Sequence, residues 1–127
     1  CKDIGVICTD SGYDIVYGGA AGLHIQGTTS LGVVKTEAEV LHYICALTQY
    51  YRETGHYLER IYKWADRRGY DQVRSVIYAD AAARQAYADR FAQAQKFAQV
   101  DPWAERVAGA EAHEFTPLAD FNLEAAE

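Results

Sequence analysis

Hydrophobic and polar positions change rhythm once along this chain, near residue 36. Ahead of that point, Ile4-Gly-Val-Ile-Cys8 is a short, continuously apolar run, the pattern expected of a strand buried on both faces. Thr9-Asp-Ser-Gly12 carries turn chemistry, and Tyr13–Tyr17 resumes as a β-rich strand, so the two read as an antiparallel hairpin. Beyond a glycine-rich stretch, Leu31-Gly-Val-Val-Lys35 is a third strand or an extended edge.

Helical periodicity takes over at Thr36-Glu-Ala-Glu39, a capping box in which the threonine hydroxyl and the glutamate carboxylate satisfy each other's end of the first turn. Val40, Tyr43, Ile44, Leu47, Tyr50 and Tyr51 then recur at three- and four-residue steps, one face of an amphipathic helix that Gly55 breaks or kinks. Leu58, Ile61, Tyr62 and Ala65 belong to a second helix, closed by Arg67-Arg-Gly69. Asp71 is placed to cap a short helix carrying Val73, Val76 and Ile77. Residues 79–99 are rich in good helix formers, with a modest stripe of Tyr87, Phe91, Ala94 and Phe97 or Ala98. Asp101-Pro-Trp103 starts one more helix, with Asp as cap and Pro at the first helical position. Strands first and helices after define an α+β fold: short antiparallel strands at about 4–8, 13–17 and 31–35, then a helical C-terminal half. Residues 1–108 form the organised part. From 109 to 127 the chain carries acids without Lys or Arg and has little periodicity, an acidic, partly ordered tail.

Composition narrows the function classes. At 127 residues the chain fits one domain that buries roughly 65% of its unfolded surface. Twelve Lys and Arg against eighteen Asp and Glu give a net charge of −6, which argues against nonspecific nucleic-acid binding and against an anionic membrane surface. No apolar run approaches the roughly 20 residues of a membrane span. Cys1, Cys8 and Cys45 do not make a disulfide scaffold, which points to a reducing, cytoplasmic setting. The absence of methionine and the abrupt Cys1-Lys-Asp-Ile start read as a piece of a longer protein.

The candidate chemistry is sparse. Gly22-x-x-x-x-Gly27-Thr28-Thr29 resembles a phosphate loop, but Thr28 stands where the phosphate-binding lysine belongs, and the segment leads towards a strand rather than a helix. The cysteines lack a C-x-x-C pair and fall one short of the four thiolates a single-chain cubane cluster needs. Cys8 and Cys45 read as small core residues. His24, His42, His56 and His113 show no i, i+4 ligand pair; His42 falls on the polar side of the first helix, and only His24 lies in the glycine loop. Glu53, Glu59 and Arg67-Arg68 read as solvated helix faces and helix-end partners. The tyrosines of Tyr50-Tyr51-Arg52, with Tyr57 and Tyr62, read as core or subunit contact.

Four pieces in register carry more: Lys2-Asp-Ile-Gly-Val-Ile7, Tyr13-Asp-Ile-Val-Tyr-Gly-Gly-Ala-Ala-Gly22, Gln49-Tyr-Tyr-Arg-Glu53 and Tyr57-Leu-Glu-Arg-Ile-Tyr-Lys-Trp64. Their order and spacing, continued to Asp101-Pro-Trp103, resemble the sirohaem and [4Fe–4S] domain of nitrite and sulfite reductases. The resemblance is to the C-terminal end of the large subunit of NAD(P)H-dependent assimilatory nitrite reductases. It implies a parent that reduces nitrite to ammonia, with electrons passing from NAD(P)H through FAD and a 4Fe-4S cluster to sirohaem. In the family the cluster ligands are two cysteine pairs, the second C-x-x-x-C, lying just before the segment matching Lys2-Asp-Ile-Gly5. Cys1 falls after the last of them, so this chain is expected to hold no redox centre and to be silent alone. The resemblance brings the Gly-Gly turn close to the cofactor region, making Gly18, Gly19 and Gly22 candidates for backbone contact with it. The implied partners are the rest of the reductase chain and a small subunit, with homo-oligomerisation an option. The alternative reading is a stand-alone interaction module using a tyrosine-rich helical face.

Overall fold

The computed structural model describes residues 3–98 and 101–109. The chain divides into two compact units, Cys1–Lys96 and Phe97–Glu127. In the first, β1 (Ile4–Thr9), β2 (Gly12–Tyr17) and β3 (Thr29–Val34) form an antiparallel sheet in the order β1-β2-β3. The hairpin between β1 and β2 closes where the Thr9 hydroxyl donates to the Gly12 carbonyl at 2.9 Å. The helices are α1 (Glu37–Thr54), α2 (Ile61–Arg68), α3 (Tyr70–Arg74) and α4 (Ala81–Ala98), with a π-helical turn Ser75–Ala79 closed by Asp80 N–H on the Ser75 carbonyl. In the second unit, α5 (Pro102–Val107) begins as its sequence dictates: Asp101 accepts from the backbone of Trp103 and Ala104, and Pro102 sits in the first turn.

The core lies between one face of the sheet and the helices. Ile15, Tyr17, Leu31 and Val34 meet Ala46, Leu47, Tyr50, Trp64, Ala65, Val73 and Ile77. A bulge in the β2–β3 register pairs Ile15 with Gly32 and Val16 with Ser30, leaving Leu31 as the extra residue, fully buried. Gly32 is needed there, because a β-carbon on it would stand 2.1 Å from the Tyr78 ring. The expected box caps α1, with Thr36 accepting from Glu39 N–H and Glu39 accepting from Thr36 N–H, and Gly55 ends it.

Several expectations need correction. The apolar run of β1 is not buried on both faces: it is an edge strand with Val6 40% and Ile7 50% exposed. Cys8 is exposed rather than a core residue, whereas Cys45 is partly covered. Leu58 lies outside α2, exposed in the preceding loop with φ at 60°. Asp71 sits inside the first turn of α3, whose cap position is Gly69. On α4 the buried residue is Ala88, while Phe97 and Ala98 are exposed. The tail expected over 109–127 lies, Gly109 apart, outside the described residues.

Candidate functional site

The glycine stretch leaves the end of β2 and returns to β3. Tyr17 carries the chain into Gly18, whose φ of 79° and lack of a β-carbon let the Tyr70 hydroxyl approach; an added β-carbon would lie 2.8 Å from that oxygen. Gly18 N–H donates to the Asp3 carbonyl at 2.9 Å, and Gly19 is buried beside it. Ala20 and Gln26 then exchange two backbone hydrogen bonds of 3.0 Å, pinching the intervening residues into a protruding loop. Leu23 and Ile25 stand in solvent at its tip. Gly22 is exposed there too, and a β-carbon on it would meet nothing within 4 Å. The loop returns to β3, with no helix opening after Gly27, so it lacks the helix N-terminus that a phosphate loop uses.

Side chains tie this loop to the helices. The Gln26 amide donates to the Tyr70 hydroxyl at 2.8 Å and to the Asp66 carboxylate at 3.3 Å. Its carbonyl oxygen lies 3.0 Å from His24 Nε2, and the His24 ring stacks on Tyr62 with centroids 5.0 Å apart. Between loop and helix opens a cleft of about 380 Å³ lined by Ala20–His24, Arg60, Tyr62 and Lys63. Arg60 is held in place by a two-pronged contact with Asp3, its Nη2 2.8 Å from one carboxylate oxygen and 2.9 Å from the other. It opens α2 without a side-chain cap. The cleft therefore presents Lys63 and the Asp3-paired Arg60, together with hydrogen-bonding groups, in a chain that is acidic as a whole. It holds no nucleophile paired with a base.

Burial raises the Tyr70 phenol above its ordinary value, Asp66 adding to the effect, so Tyr70 stays a neutral hydroxyl that accepts from Gln26. Burial likewise raises Tyr17, whose hydroxyl donates to the Tyr70 carbonyl. A second, largely apolar groove of about 320 Å³ lies between α1 and α4, with His42, Cys45 and Asp89 along it. Burial pushes the Cys45 thiol up, which makes it a poorer thiolate for metal or substrate. Among the described residues no group of three or more His, Cys, Asp or Glu converges to hold a metal ion. Cys8 and Cys45 belong to different elements, one on β1 and the other on α1. These residues do not fit the iron–sulfur cluster implied by the resemblance, and no reaction step is assigned to them.

The structure thus brings Gly18 and Gly19 together in the packed neck of the loop and leaves Gly22 at its open end. His24 joins them through Gln26 and Tyr62. His42 lines the other groove and is half-buried rather than solvated. Sequence reading missed Gln26, Arg60, Lys63, Asp66 and Tyr70, because each meets the loop or Asp3 across forty or more residues of chain or through a shared cavity wall. Glu53 is exposed as read and pairs there with Arg90 at 2.6 Å, whereas Glu59 is largely covered in its 2.6 Å pair with Arg67. The tyrosines read as core or contact are divided: Tyr50 and Tyr51 pack edge-on against Trp64, and Tyr57 is exposed.

The model of the nitrite and sulphite reductase 4Fe-4S domain family matches residues 1–85. The chain is similar to a nitrite reductase [NAD(P)H] of Bacillus subtilis (strain 168), 41% identical over 102 residues that make up 80% of this chain and 12% of that protein. It is similar too to an assimilatory nitrate reductase electron transfer subunit of the same strain, 39% identical over 79 residues, 62% of this chain and 10% of the relative. The chain thus matches about a tenth of the length of these curated relatives. No solved structure matches it. With a family match covering most of its length and a relative at 41% identity, the chain belongs to the nitrite and sulphite reductase 4Fe-4S domain family.

Proposed function

We propose that this chain works as part of a nitrite reductase that converts nitrite to ammonia with electrons from NAD(P)H. The observation that carries the reading is the 41% identity to a protein named nitrite reductase [NAD(P)H], over four-fifths of this chain. In such a parent, FAD, a 4Fe-4S cluster and sirohaem supply the electron transfer and the site of nitrite reduction. This chain's own residues contribute a wall: the Gly18-Gly19 neck sets the loop's direction, and Gly22 offers backbone that no side chain screens. Arg60 and Lys63 line the cleft behind that wall and favour carboxylates facing it. Residues 1–108 act as the C-terminal portion of the reductase domain, and 109–127 as an acidic appendage. The setting is cytoplasmic, and no helix among the described residues is long and apolar enough to cross a membrane. The partners are the rest of the reductase and a small subunit.

The packing weakens the rival reading as a stand-alone module, because Tyr50 and Tyr51 of its proposed face pack on the core and only Tyr57 stands fully in solvent. Two preparations test the proposal, this chain alone and the complete reading frame that encodes it. The complete frame is expected to oxidise NADH or NADPH in a nitrite-dependent way. The chain alone is expected to be silent and to purify without stoichiometric iron or sirohaem. Near-stoichiometric iron with acid-labile sulfide on the chain alone would overturn the assignment of the redox centres elsewhere, and a complete frame indifferent to nitrite would overturn the reaction.

A further inference from the structure

The two edges of the sheet are treated very differently. On β3, the edge is interrupted by the bulge at Leu31 and carries Thr29 and Ser30, and the Tyr78 hydroxyl donates to the Val33 carbonyl. These are devices by which natural sheets discourage a further strand. On β1, Ile4-Gly-Val-Ile-Cys-Thr9 has no charge, no proline and no bulge, and its register with β2 is unbroken from Ile4↔Tyr17 to Thr9↔Gly12.

The register tells which groups of β1 are free. Gly18 N–H donates to the Asp3 carbonyl, which makes Ile4↔Tyr17 a non-hydrogen-bonded pair. By alternation, Gly5, Ile7 and Thr9 turn their backbone groups to β2, whereas Ile4, Val6 and Cys8 turn theirs away from it. Among the described residues no strand lies on that side. The side chains agree with an absent neighbour on both faces. Val6, on the helix-covered face with Ile15, is 40% exposed, and Ile7, on the opposite face with Asp14, is 50% exposed. An unbroken apolar run is the signature of an interior strand, yet here it stands at an edge.

We infer that the outer edge of β1 pairs with an extended, apolar strand from the part of the reductase that this chain does not span. The inference rests on the reading of the chain as part of a larger reductase. An occupant of strand form follows from the row of free N–H and C=O groups, which an extended backbone satisfies one for one. Its apolar character follows from Val6 and Ile7, which flank the edge on both faces. A source outside this chain follows from the 12% share of the relative that the chain matches.

Amide hydrogen exchange on this chain alone and on the complete reading frame tests it. In the chain alone, Gly5, Ile7 and Thr9 are protected while Ile4, Val6 and Cys8 exchange near the unstructured rate. In the complete frame the latter three slow by on the order of 100-fold. Unslowed exchange there overturns the proposal. So does protection in the chain alone that rises with concentration, the mark of a second copy, or that disappears on deletion of residues 110–127. Val6→Pro removes only an outward N–H; it is expected to leave the chain alone folded by circular dichroism and to lower the melting temperature of the complete frame. Ile7→Pro, which removes an inward N–H, unfolds the hairpin in both. A Val6→Pro frame that melts like the unsubstituted one overturns the pairing. Protected amides in a frame without nitrite-dependent activity would remove the proposed reaction and leave the strand pairing standing.

Discussion

The aromatic centre around Trp64 and the strand β1 are both apolar in sequence, yet one is sealed and the other open. Trp64 is fully buried, edge-on to Tyr50 and Tyr51 at 5.4 Å, with its indole N–H donating to the Thr54 hydroxyl at 2.8 Å. Ile7 of β1 is half exposed, with no strand beyond it among the described residues. The difference teaches that apolar content specifies a need for cover, and the chain meets that need only where its own helices reach. Truncation reads out which sites are complete. Trp64→Ala is expected to cost about 3–5 kcal/mol, since it opens a large cavity and leaves the Thr54 hydroxyl with only its bond to the Tyr50 carbonyl. Urea unfolding of the chain measures it, and a loss below about 1 kcal/mol would mean the centre is not packed as described.

Closure of the sealed side depends on a close approach as well as on bulk. Gly32 faces the Tyr78 ring so directly that a β-carbon would stand 2.1 Å from a ring atom. Gly32→Ala therefore forces Tyr78 aside and disturbs its hydroxyl bond to Val33. The expected loss is about 1–3 kcal/mol. Gly22→Ala sharpens the contrast, because nothing lies within 4 Å of the added carbon, and its unfolding midpoint is expected to stay near that of the unsubstituted chain.

Local signals in the sequence carried far. Thr36-Glu-Ala-Glu39 and Asp101-Pro102 name their helix starts because the capping partners lie within three residues. The hairpin follows from Thr9-Asp-Ser-Gly12, and Gly55 and Gly69 end α1 and α2 where they stand. The site was less legible. Gly18 and His24 were visible as residues of a glycine loop, but what holds the loop is Gln26 on Tyr70 and Asp66, pairs that no local period encodes. Arg60 on Asp3 joins positions 57 residues apart in the same way. Leu58 was misread because helical spacing from Ile61 backwards says nothing about the left-handed backbone before Arg60. The apolar run of β1 was legible as a strand, but a local pattern could not tell that it would stand at the sheet's edge with Val6 and Ile7 part exposed.

The Glu59–Arg67 ion pair is an electrostatic device whose removal has a smaller, pH-bounded effect. Arg67 hydrogen bonding, with help from the His56 N–H, holds the Glu59 carboxyl down at about 2, against an ordinary 4.5. A carboxyl lowered on folding contributes stability that is complete above about pH 4.5 and is lost as pH falls through about 2. Glu59→Gln is therefore expected to flatten the decline of the urea midpoint across that window while lowering the midpoint slightly at neutral pH. An unchanged acid limb in Glu59→Gln would show that other lowered carboxylates, such as Glu53 beside Arg90, carry the acid sensitivity instead.

The smallest expected effect falls on the open strand and completes the comparison. Ile7 is half exposed on the face away from the helices, so Ile7→Ser removes little covered surface from this chain. Its cost is expected to stay within about 0.5 kcal/mol, as for an ordinary surface substitution. The same change in the complete reading frame meets a different environment if a further strand seals that edge. There Ile7 becomes an interior residue, and its truncation is expected to approach the cost of a core site, about 2–4 kcal/mol. Melting of the two preparations with and without Ile7→Ser separates the outcomes. Equal, small costs in both would mean that β1 is an edge in the larger protein as well. In that case the apolar run would be a property of the strand itself and not a record of its neighbours.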